Sequence, residues 1–202
     1  PFCVKKCAYC DFLSGPAGEK EKEEYVKMLV DEIRNCPDTV QNYRVISIFF
    51  GGGTPSLLTG EQIGRLMDTV REIFTLDEDA EITMEMNPGT VTEEKLRKYR
   101  QAGVNRLSIG LQSVNDEELR LLGRIHTYEE FLEAYHLARA NGFANINVDL
   151  ISAIPGQTVE SWRRTLEQVM ALFPEHISAY SLILEEGTTF YKKYVEDEAK
   201  EG

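Results

Sequence analysis

The sequence predicts an α/β protein built on a parallel β-sheet, and three observations favour this fold class. Short apolar runs rich in β-branched residues alternate with amphipathic segments of helical period. Capping boxes and glycines mark where several of the helices begin and end. No linker or low-complexity segment interrupts the series before Lys192. Strands that alternate with helices are typical of βαβ units, whose strands lie parallel.

The first half of the chain contains three predicted helices and two predicted strands. Thr59 and Gln62 are the ends of a Thr-Gly-Glu-Gln capping box, which opens a helix. Gly103 directly follows another periodic segment, in the position where glycine usually ends a helix. The expected elements are helix Lys20–Arg34, strand Val45–Phe50, helix Thr59–Phe74, strand Ala80–Met86 and helix Thr92–Ala102.

The second half of the chain repeats this pattern. A second capping box, Thr127-Tyr-Glu-Glu130, opens a helix that Gly142 stops. The other expected elements are strand Asn105–Leu111, helix Asp116–Leu122, strand Ala144–Ile151, helix Thr158–Leu172 and strand His176–Leu184. Five strands allow either an open doubly wound sheet or a complete or partial barrel.

Polar and glycine residues follow the ends of the predicted strands. They are Gly51–Thr54, Glu85–Asn87, Gln112 with Ser113, Asp149 and Glu185. The carboxyl ends of parallel strands meet at one edge of the sheet, where ligands bind in both open sheets and barrels. The sequence therefore predicts a functional site at this edge.

Composition limits the kind of protein that this chain can form. Its 202 residues suffice for one well-packed domain, and its net charge of −12 argues against a nucleic-acid partner. No apolar run reaches membrane-spanning length, and no leader segment is visible, so we expect a cytoplasmic location without a transmembrane segment. The chain begins at Pro1 rather than at a methionine. We therefore expect a fragment of a longer protein, truncated at both ends.

Three cysteines form the most specific motif of the sequence. Cys3, Cys7 and Cys10 have the spacing CxxxCxxC, which allows one short loop to supply three thiolates to a [4Fe–4S] cluster and leaves one iron open. Lys5 and Lys6 add positive charge that favours thiolates. Two alternatives are a buried helical stripe and a zinc site whose fourth ligand is a distant residue such as Cys36.

Together with the cysteines, further motifs carry a family resemblance that runs from Pro1 to about Tyr191. The motifs are Phe49-Phe-Gly-Gly-Gly-Thr-Pro-Ser56, Glu85-Met-Asn-Pro-Gly-Thr90, Leu107-Ser-Ile-Gly-Leu-Gln-Ser113, Leu121-Leu-Gly-Arg124, Asn147-Val-Asp-Leu150 and Pro155-Gly-Gln-Thr158. The sequence resembles the oxygen-independent coproporphyrinogen III oxidase family of radical S-adenosylmethionine (SAM) proteins, and most closely its HemW-type heme chaperone branch.

The resemblance implies a fold and a set of cofactors. The fold is a partial (β/α)6 radical SAM barrel over residues 1–191, whose first strand lies upstream of Pro1, and residues 192–202 would begin a linker to a further domain. Cys3, Cys7 and Cys10 would hold the cluster, and SAM would chelate the open iron. Reduction of the cluster would cleave SAM to methionine and a 5′-deoxyadenosyl radical. The resemblance also implies two partners: a tetrapyrrole, and an electron donor such as flavodoxin or ferredoxin.

The resemblance also assigns SAM-binding roles to individual residues. Gly52, Gly53 and Thr54 match the segment that approaches the methionyl group, and Glu85 matches a carboxylate that contacts SAM. The remaining matches along the SAM and substrate cavity are Tyr9, Gln112, Arg124, Asp149 and Ile183. Arg124 could instead be an ordinary cation at a helix end.

One difference from the family's motif helps to distinguish heme delivery from coproporphyrinogen oxidation. The classical oxidases carry a fourth cysteine two places after the third, where this chain has Phe12. Phe12 favours a HemW-type protein that binds and delivers heme. The first alternative is the oxidative decarboxylation of coproporphyrinogen III to protoporphyrinogen IX, and the second is a non-catalytic zinc-binding α/β domain.

Overall fold

Five parallel strands form one sheet in the computed structural model, which describes residues 1–197 of the chain. Strands adjacent in sequence are adjacent in the sheet, and each pair is parallel. The sheet is a half-barrel, so the predicted α/β fold with a partial barrel is confirmed. The strands are β1 (Arg44–Phe50), β2 (Thr75–Met86), β3 (Arg106–Gln112), β4 (Asn145–Ser152) and β5 (His176–Ser181).

Seven helices lie before, between and after the strands in residues 1–197. They are α1 (Glu19–Arg34), α2 (Gly60–Ile73), α3 (Glu93–Ala102), α4 (Asp116–Leu122), α5 (Tyr128–Ala140), α6 (Val159–Met170) and α7 (Thr189–Tyr191). Shorter 3₁₀ turns lie at Asp38–Asn42 and Pro55–Leu57, and Lys192–Asp197 is a π-helical turn. Residues 198–202 of the expected linker lie outside the described residues. Within residues 1–197, none of the helices combines the length and the apolar content that a membrane crossing requires.

The helix ends follow the predicted signals. In the capping box of α2, the Thr59 hydroxyl accepts from the Gln62 backbone N–H and the Gln62 side chain accepts from the Thr59 N–H. Thr127 and Glu130 make the same reciprocal pair at the start of α5. Gly103 ends α3 with φ 105°, a left-handed conformation that favours glycine.

Two strands differ in length from the prediction. β2 begins at Thr75 rather than Ala80, and its first residues pair with the start of β1 before the register shifts. Asp77 accepts the backbone N–H of Asp79, so the acidic segment between the two paired stretches has the local chemistry of a turn. β5 ends at Ser181 rather than Leu184, because its partner β4 already ends at Ser152.

The two faces of the sheet have opposite chemistry. Alternate residues of β3 and β4 are fully buried in the apolar core: Leu107, Ile109, Leu111, Ile146, Val148 and Leu150. The residues between them, such as Ser108, Asn147 and Asp149, point to the concave face and line a cavity. The core therefore lies between the sheet and the helices, and the inside of the half-barrel is left polar and available to a ligand.

Candidate functional site

A cavity of about 640 Å³ opens at the carboxyl edge of the sheet, where the strand order predicts a site. Residues from the cysteine loop, from the segments after β1 and β5, and from the ends of β2, β3 and β4 line it. All twelve residues that the sequence singles out are among its lining residues: Cys3, Cys7, Tyr9, Cys10, Gly52, Gly53, Thr54, Glu85, Gln112, Arg124, Asp149 and Ile183. Residues separated by up to 180 positions in the chain thus meet at one place.

Backbone hydrogen bonds fix the cysteine loop, residues 1–15, over the mouth of the cavity. The N–H of Thr54 donates to the carbonyl of Phe2 at 2.7 Å, which ties the loop to the segment after β1. The N–H of Ala8 donates to the carbonyl of Leu122 at 2.9 Å, and the N–H of Phe190 donates to the carbonyl of Ala8 at 3.0 Å. The loop is therefore attached to both sides of the half-barrel.

The three thiols of this loop are free and only partly buried. Cys3 Sγ lies 3.4 Å from the hydroxyls of Ser14 and Thr54. The Arg124 guanidinium donates to Cys7 Sγ at 3.7 Å, which places a positive charge beside this sulfur. Burial raises the pKa of the Cys10 thiol, against a backbone hydrogen bond from Phe12 that lowers it.

Arg124 connects the cysteine loop to β2 and β3. Its guanidinium donates to Asn87 Oδ1 at 2.6 Å and to the Gly110 carbonyl at 2.7 Å. Asn87 Nδ2 in turn donates to Thr54 Oγ1 at 2.9 Å. The Nε of Arg124 is buried and has no hydrogen-bond partner among the described residues. The Arg124 side chain thus bonds to the cysteine loop, to the segment after β2 and to β3.

The glycine segment after β1 exposes its backbone to the cavity. Gly52 has φ 110°, and a Cβ at this position would meet nothing within 4 Å, so a ligand can approach the main chain closely. The Gly52 N–H donates to Glu85 Oε2 at 3.0 Å. Burial raises the pKa of Glu85; the Gly52 N–H opposes this shift, and the Asp149 carboxylate adds to it.

Gln112 and Asp149 differ in how their side chains are held. Gln112 is only 8% exposed and lines the cavity, and none of the described residues hydrogen-bonds its side-chain amide. Asp149 is fully engaged on the concave face, because Ser108 Oγ donates to its Oδ2 at 2.9 Å and Asn147 Nδ2 donates to its Oδ1 at 2.8 Å. The free amide is available to a ligand, and the carboxylate is held in one orientation.

Tyr9 and Ile183 are the two site residues that bring large side chains of low polarity to the cavity wall. Tyr9 packs against a small apolar cluster formed by Leu122, Ile151, Ile154 and Phe190. Its burial raises its pKa to about 12, although the nearby Arg124 charge acts in the opposite direction. Ile183 follows the end of β5 and is 66% exposed. Its side chain is therefore available to contact a ligand or another part of the protein.

Several lining residues are not predicted from the sequence, chief among them Arg106, Ser108 and Asn147. They lie on the concave face at even spacing from Gln112 or Asp149. The period of two along a strand could have identified them, since residues two apart share a face. What the sequence does not indicate is that Asn147 and Ser108 bond to Asp149.

The three histidines lie in different places. His126 is buried beside β3, His136 is exposed on α5, and His176 begins β5. In residues 1–197, no three or more His, Cys, Asp or Glu side chains surround one point where a single metal ion could sit. The thiolates of an iron–sulfur cubane each bind a different iron, so they need not converge on one point.

One family of known proteins matches most of this chain. The family model described as Radical SAM superfamily matches residues 1–169. The chain belongs to the radical SAM superfamily, and within it to the type represented by HemN and HemW, as its relatives indicate.

Three similar proteins support that assignment. The heme chaperone HemW of Escherichia coli strain K12 is 45% identical over 191 residues, which cover 94% of this chain and 50% of the relative. HemW of Haemophilus influenzae is 40% identical over 195 residues, which cover 94% and 51%. The structure of coproporphyrinogen III oxidase (HemN) from Escherichia coli, a radical SAM enzyme, has a TM-score of 0.83 at 36% identity and covers 91% of this chain and 42% of that chain. The chain spans about half the length of the curated relatives that it matches.

Proposed function

We propose that this HemW-like chain binds a [4Fe–4S] cluster and SAM, and that the protein acts in heme binding and delivery. The single observation that carries the proposal is the loop of three free thiols at the mouth of a cavity that all the other predicted residues line. The cluster and SAM are proposed because the chain belongs to the radical SAM superfamily. Heme is proposed because the similar proteins are named as heme chaperones.

The donor set fits a cubane cluster. Three thiols on one loop serve three irons and leave the fourth for a further ligand. The Arg124 guanidinium next to Cys7 supplies positive charge beside the thiolates, and its unpartnered buried Nε leaves a donor for a ligand of the site. When bound, the cluster supplies one electron for the reductive cleavage of SAM.

The residues around the thiols fit SAM. Gly52 offers an open main chain beside the cysteine loop, Gly53 packs directly against the Phe2 backbone of that loop, and Thr54 is anchored to it. The Glu85 carboxylate can bind the amino group of an amino acid, and the free Gln112 amide can bind polar ligand atoms. Asp149, held by Ser108 and Asn147, can accept hydrogen bonds from ribose hydroxyls, while Tyr9 and Ile183 provide apolar contact.

The second candidate function is the oxidation of coproporphyrinogen III. The observation that favours it is the likeness to HemN, which extends over 91% of this chain. Phe12 argues against it, because this residue replaces the fourth cysteine of the classical oxidases. Phe12 is 57% exposed and lies at the rim of the cavity, so a cysteine there would have been next to the cofactors.

Anaerobic reconstitution of the full-length protein tests the cluster. We expect about four irons and about four sulfides per chain, lost when Cys3, Cys7 and Cys10 are together replaced by serine. The matched control is Cys36→Ser, because Cys36 follows the end of α1, is not among the lining residues of the cavity, and donates its thiol to the Glu32 carbonyl. Zinc without iron or sulfide after anaerobic purification would instead support a zinc-binding domain.

Assays of the reconstituted protein with each tetrapyrrole separate the first two functions. We expect stable heme binding and transfer without turnover of coproporphyrinogen III. Formation of protoporphyrinogen would contradict a pure chaperone function. The partners proposed with this function are a tetrapyrrole and an electron donor such as flavodoxin or ferredoxin, and the proposed location is the cytoplasm.

A further inference from the structure

We propose that His126 is a positioning residue, which fixes the backbone at the carboxyl end of β3 and so keeps the Gln112 amide turned into the cavity. This inference rests on the proposed function, because His126 acts through a contact between Gln112 and SAM. It assigns a role to a buried histidine that lines neither the cavity nor the cysteine loop.

The backbone at Gln112 has an unusual conformation. Its φ is 77°, a left-handed value that residues with a side chain rarely adopt. The pairing of β3 with β4 also shifts register between Gly110 and Gln112, so Leu111 is an extra residue in the ladder. A bulge of this kind redirects the side chain that follows it. The direction of the Gln112 amide therefore depends on whatever holds this bulge in place.

His126 bonds to the residue directly before Gln112. Its Nε2 lies 3.2 Å from the Leu111 carbonyl oxygen, which can only accept, so Nε2 carries the hydrogen and donates it. The ring is 4% exposed, and burial, aided by the Arg124 charge, lowers its pKa to about 4. It is thus a neutral donor across the physiological pH range.

The cost of burying this imidazole argues for a purpose beyond packing. Its Nδ1 has no hydrogen-bond partner among the described residues, and an unpaired buried nitrogen is unfavourable. A phenyl ring would fill the same volume without that cost. The hydrogen bond from His126 to the Leu111 carbonyl offsets part of that cost, and a phenyl ring could not make it.

The residue after Gln112 is held as well. Ser113 Oγ donates to the buried Glu118 carboxylate at 2.6 Å and accepts from the Asn115 N–H at 3.0 Å. Gln112 therefore stands between two anchored neighbours, while its own amide, which lines the cavity, has no hydrogen-bond partner within residues 1–197. The anchors hold the backbone, and the free amide is left for the ligand.

The experiment is a double-mutant cycle in the full-length, anaerobically reconstituted protein. The variants are Gln112→Ala, His126→Phe and the two combined, with His136→Phe as the matched control because His136 is exposed on α5. SAM binding is measured by titration, with the EPR spectrum of the reduced cluster as the signal. Iron content and thermal stability are measured on the same samples. His126→Gln, whose amide can also donate, tests rescue, and His126→Leu serves if the phenyl ring does not fit.

We expect His126→Phe to keep the cluster and to weaken SAM binding by up to about tenfold, with His126→Gln intermediate and His136→Phe unchanged. In the Gln112→Ala background, His126→Phe should cause little further loss, because the contact through which it acts is already gone. Unchanged SAM affinity in His126→Phe, or an equal loss in both backgrounds, would overturn the inference. A wild-type protein that holds the cluster yet does not respond to SAM would overturn the proposed function itself.

Discussion

At the scale of single residues, the cavity is organised by side chains that bond to one another across the strand ends. Arg124 joins Cys7, Asn87 and the Gly110 carbonyl, and Asn87 extends the connection to Thr54. Hydrogen bonds from a charged donor contribute roughly 1.5–3 kcal/mol each when their partners are buried. Arg124 is thus the residue through which the cysteine loop and the strand ends are held in a common geometry.

Glu85 gives a pH-dependent prediction for the cluster-free protein. Burial raises its pKa above the usual value for glutamate, and the Asp149 carboxylate adds to the shift. As the pH rises above about 4.3, the unfolded chain ionises first, so ionisation of Glu85 reduces stability from that pH up to and through its folded-state pKa. Glu85→Gln should therefore unfold at higher urea concentration than the wild type near neutral pH, and at the same concentration near pH 4.

The matched control for this prediction is Glu186→Gln, at an exposed carboxylate in the segment before α7. We expect no pH-dependent difference there. A Glu85→Gln variant that is less stable than the wild type at neutral pH would mean that the ionised carboxylate gains more from the Gly52 N–H than it loses by burial.

At the scale of elements, local signals explain which boundaries could be predicted. Helix starts and stops at Thr59, Thr127 and Gly103 agree with the sequence, because caps are local chemistry. The start of β2 and the end of β5 do not agree, because both depend on the length of a neighbouring strand. A strand ends where its partner ends, and a single sequence does not indicate that pairing.

The contact between the cysteine loop and the segment after β1 gives a prediction at this scale. A Cβ on Gly53 would lie 2.5 Å from the Phe2 carbonyl oxygen and 2.9 Å from its nitrogen, which are backbone atoms that cannot rotate away. Gly53→Ala should therefore displace the loop and reduce iron and sulfide per chain after reconstitution. Phe2 also packs edge-on against Tyr25 of α1 at the border of the core. The backbone hydrogen bonds of the helices and strands lie outside this contact, so the far-ultraviolet circular dichroism should stay close to that of the wild type.

Gly64→Ala is the control for this substitution. Gly64 lies inside α2, and a Cβ there would meet nothing within 4 Å. Alanine at such a helical position should stabilise the protein by up to about 1 kcal/mol without changing cluster content. Full cluster loading in Gly53→Ala would show that the loop does not need its close contact with residue 53.

At the scale of the whole molecule, the cysteine loop connects the two edges of the half-barrel. β1 and β5 are the two edge strands, and the loop bonds to Thr54 after the first and to Phe190 beyond the second. The meeting of the twelve site residues could be predicted because all parallel strands end at one edge. The bonds from Arg124 and Asn87, and the bond from Asn147 to Ser108, could not be predicted, since they depend on how segments far apart in sequence are aligned.

This arrangement predicts that cluster and SAM act together on global stability. SAM bound at the open iron would also contact the ends of four strands, so it should stabilise the folded protein only when the cluster is present. At about one hundred times its Kd, a ligand adds about 2.7 kcal/mol, which for a domain of this size raises the Tm by roughly 5–10 °C. Thermal unfolding of the anaerobically reconstituted protein with and without SAM measures this shift. In the variant with Cys3, Cys7 and Cys10 replaced by serine, the shift should be close to zero, because SAM would then lack the open iron that it chelates. An equal shift in that variant would mean that the cavity binds SAM without the cluster, and the thiols would then need another role.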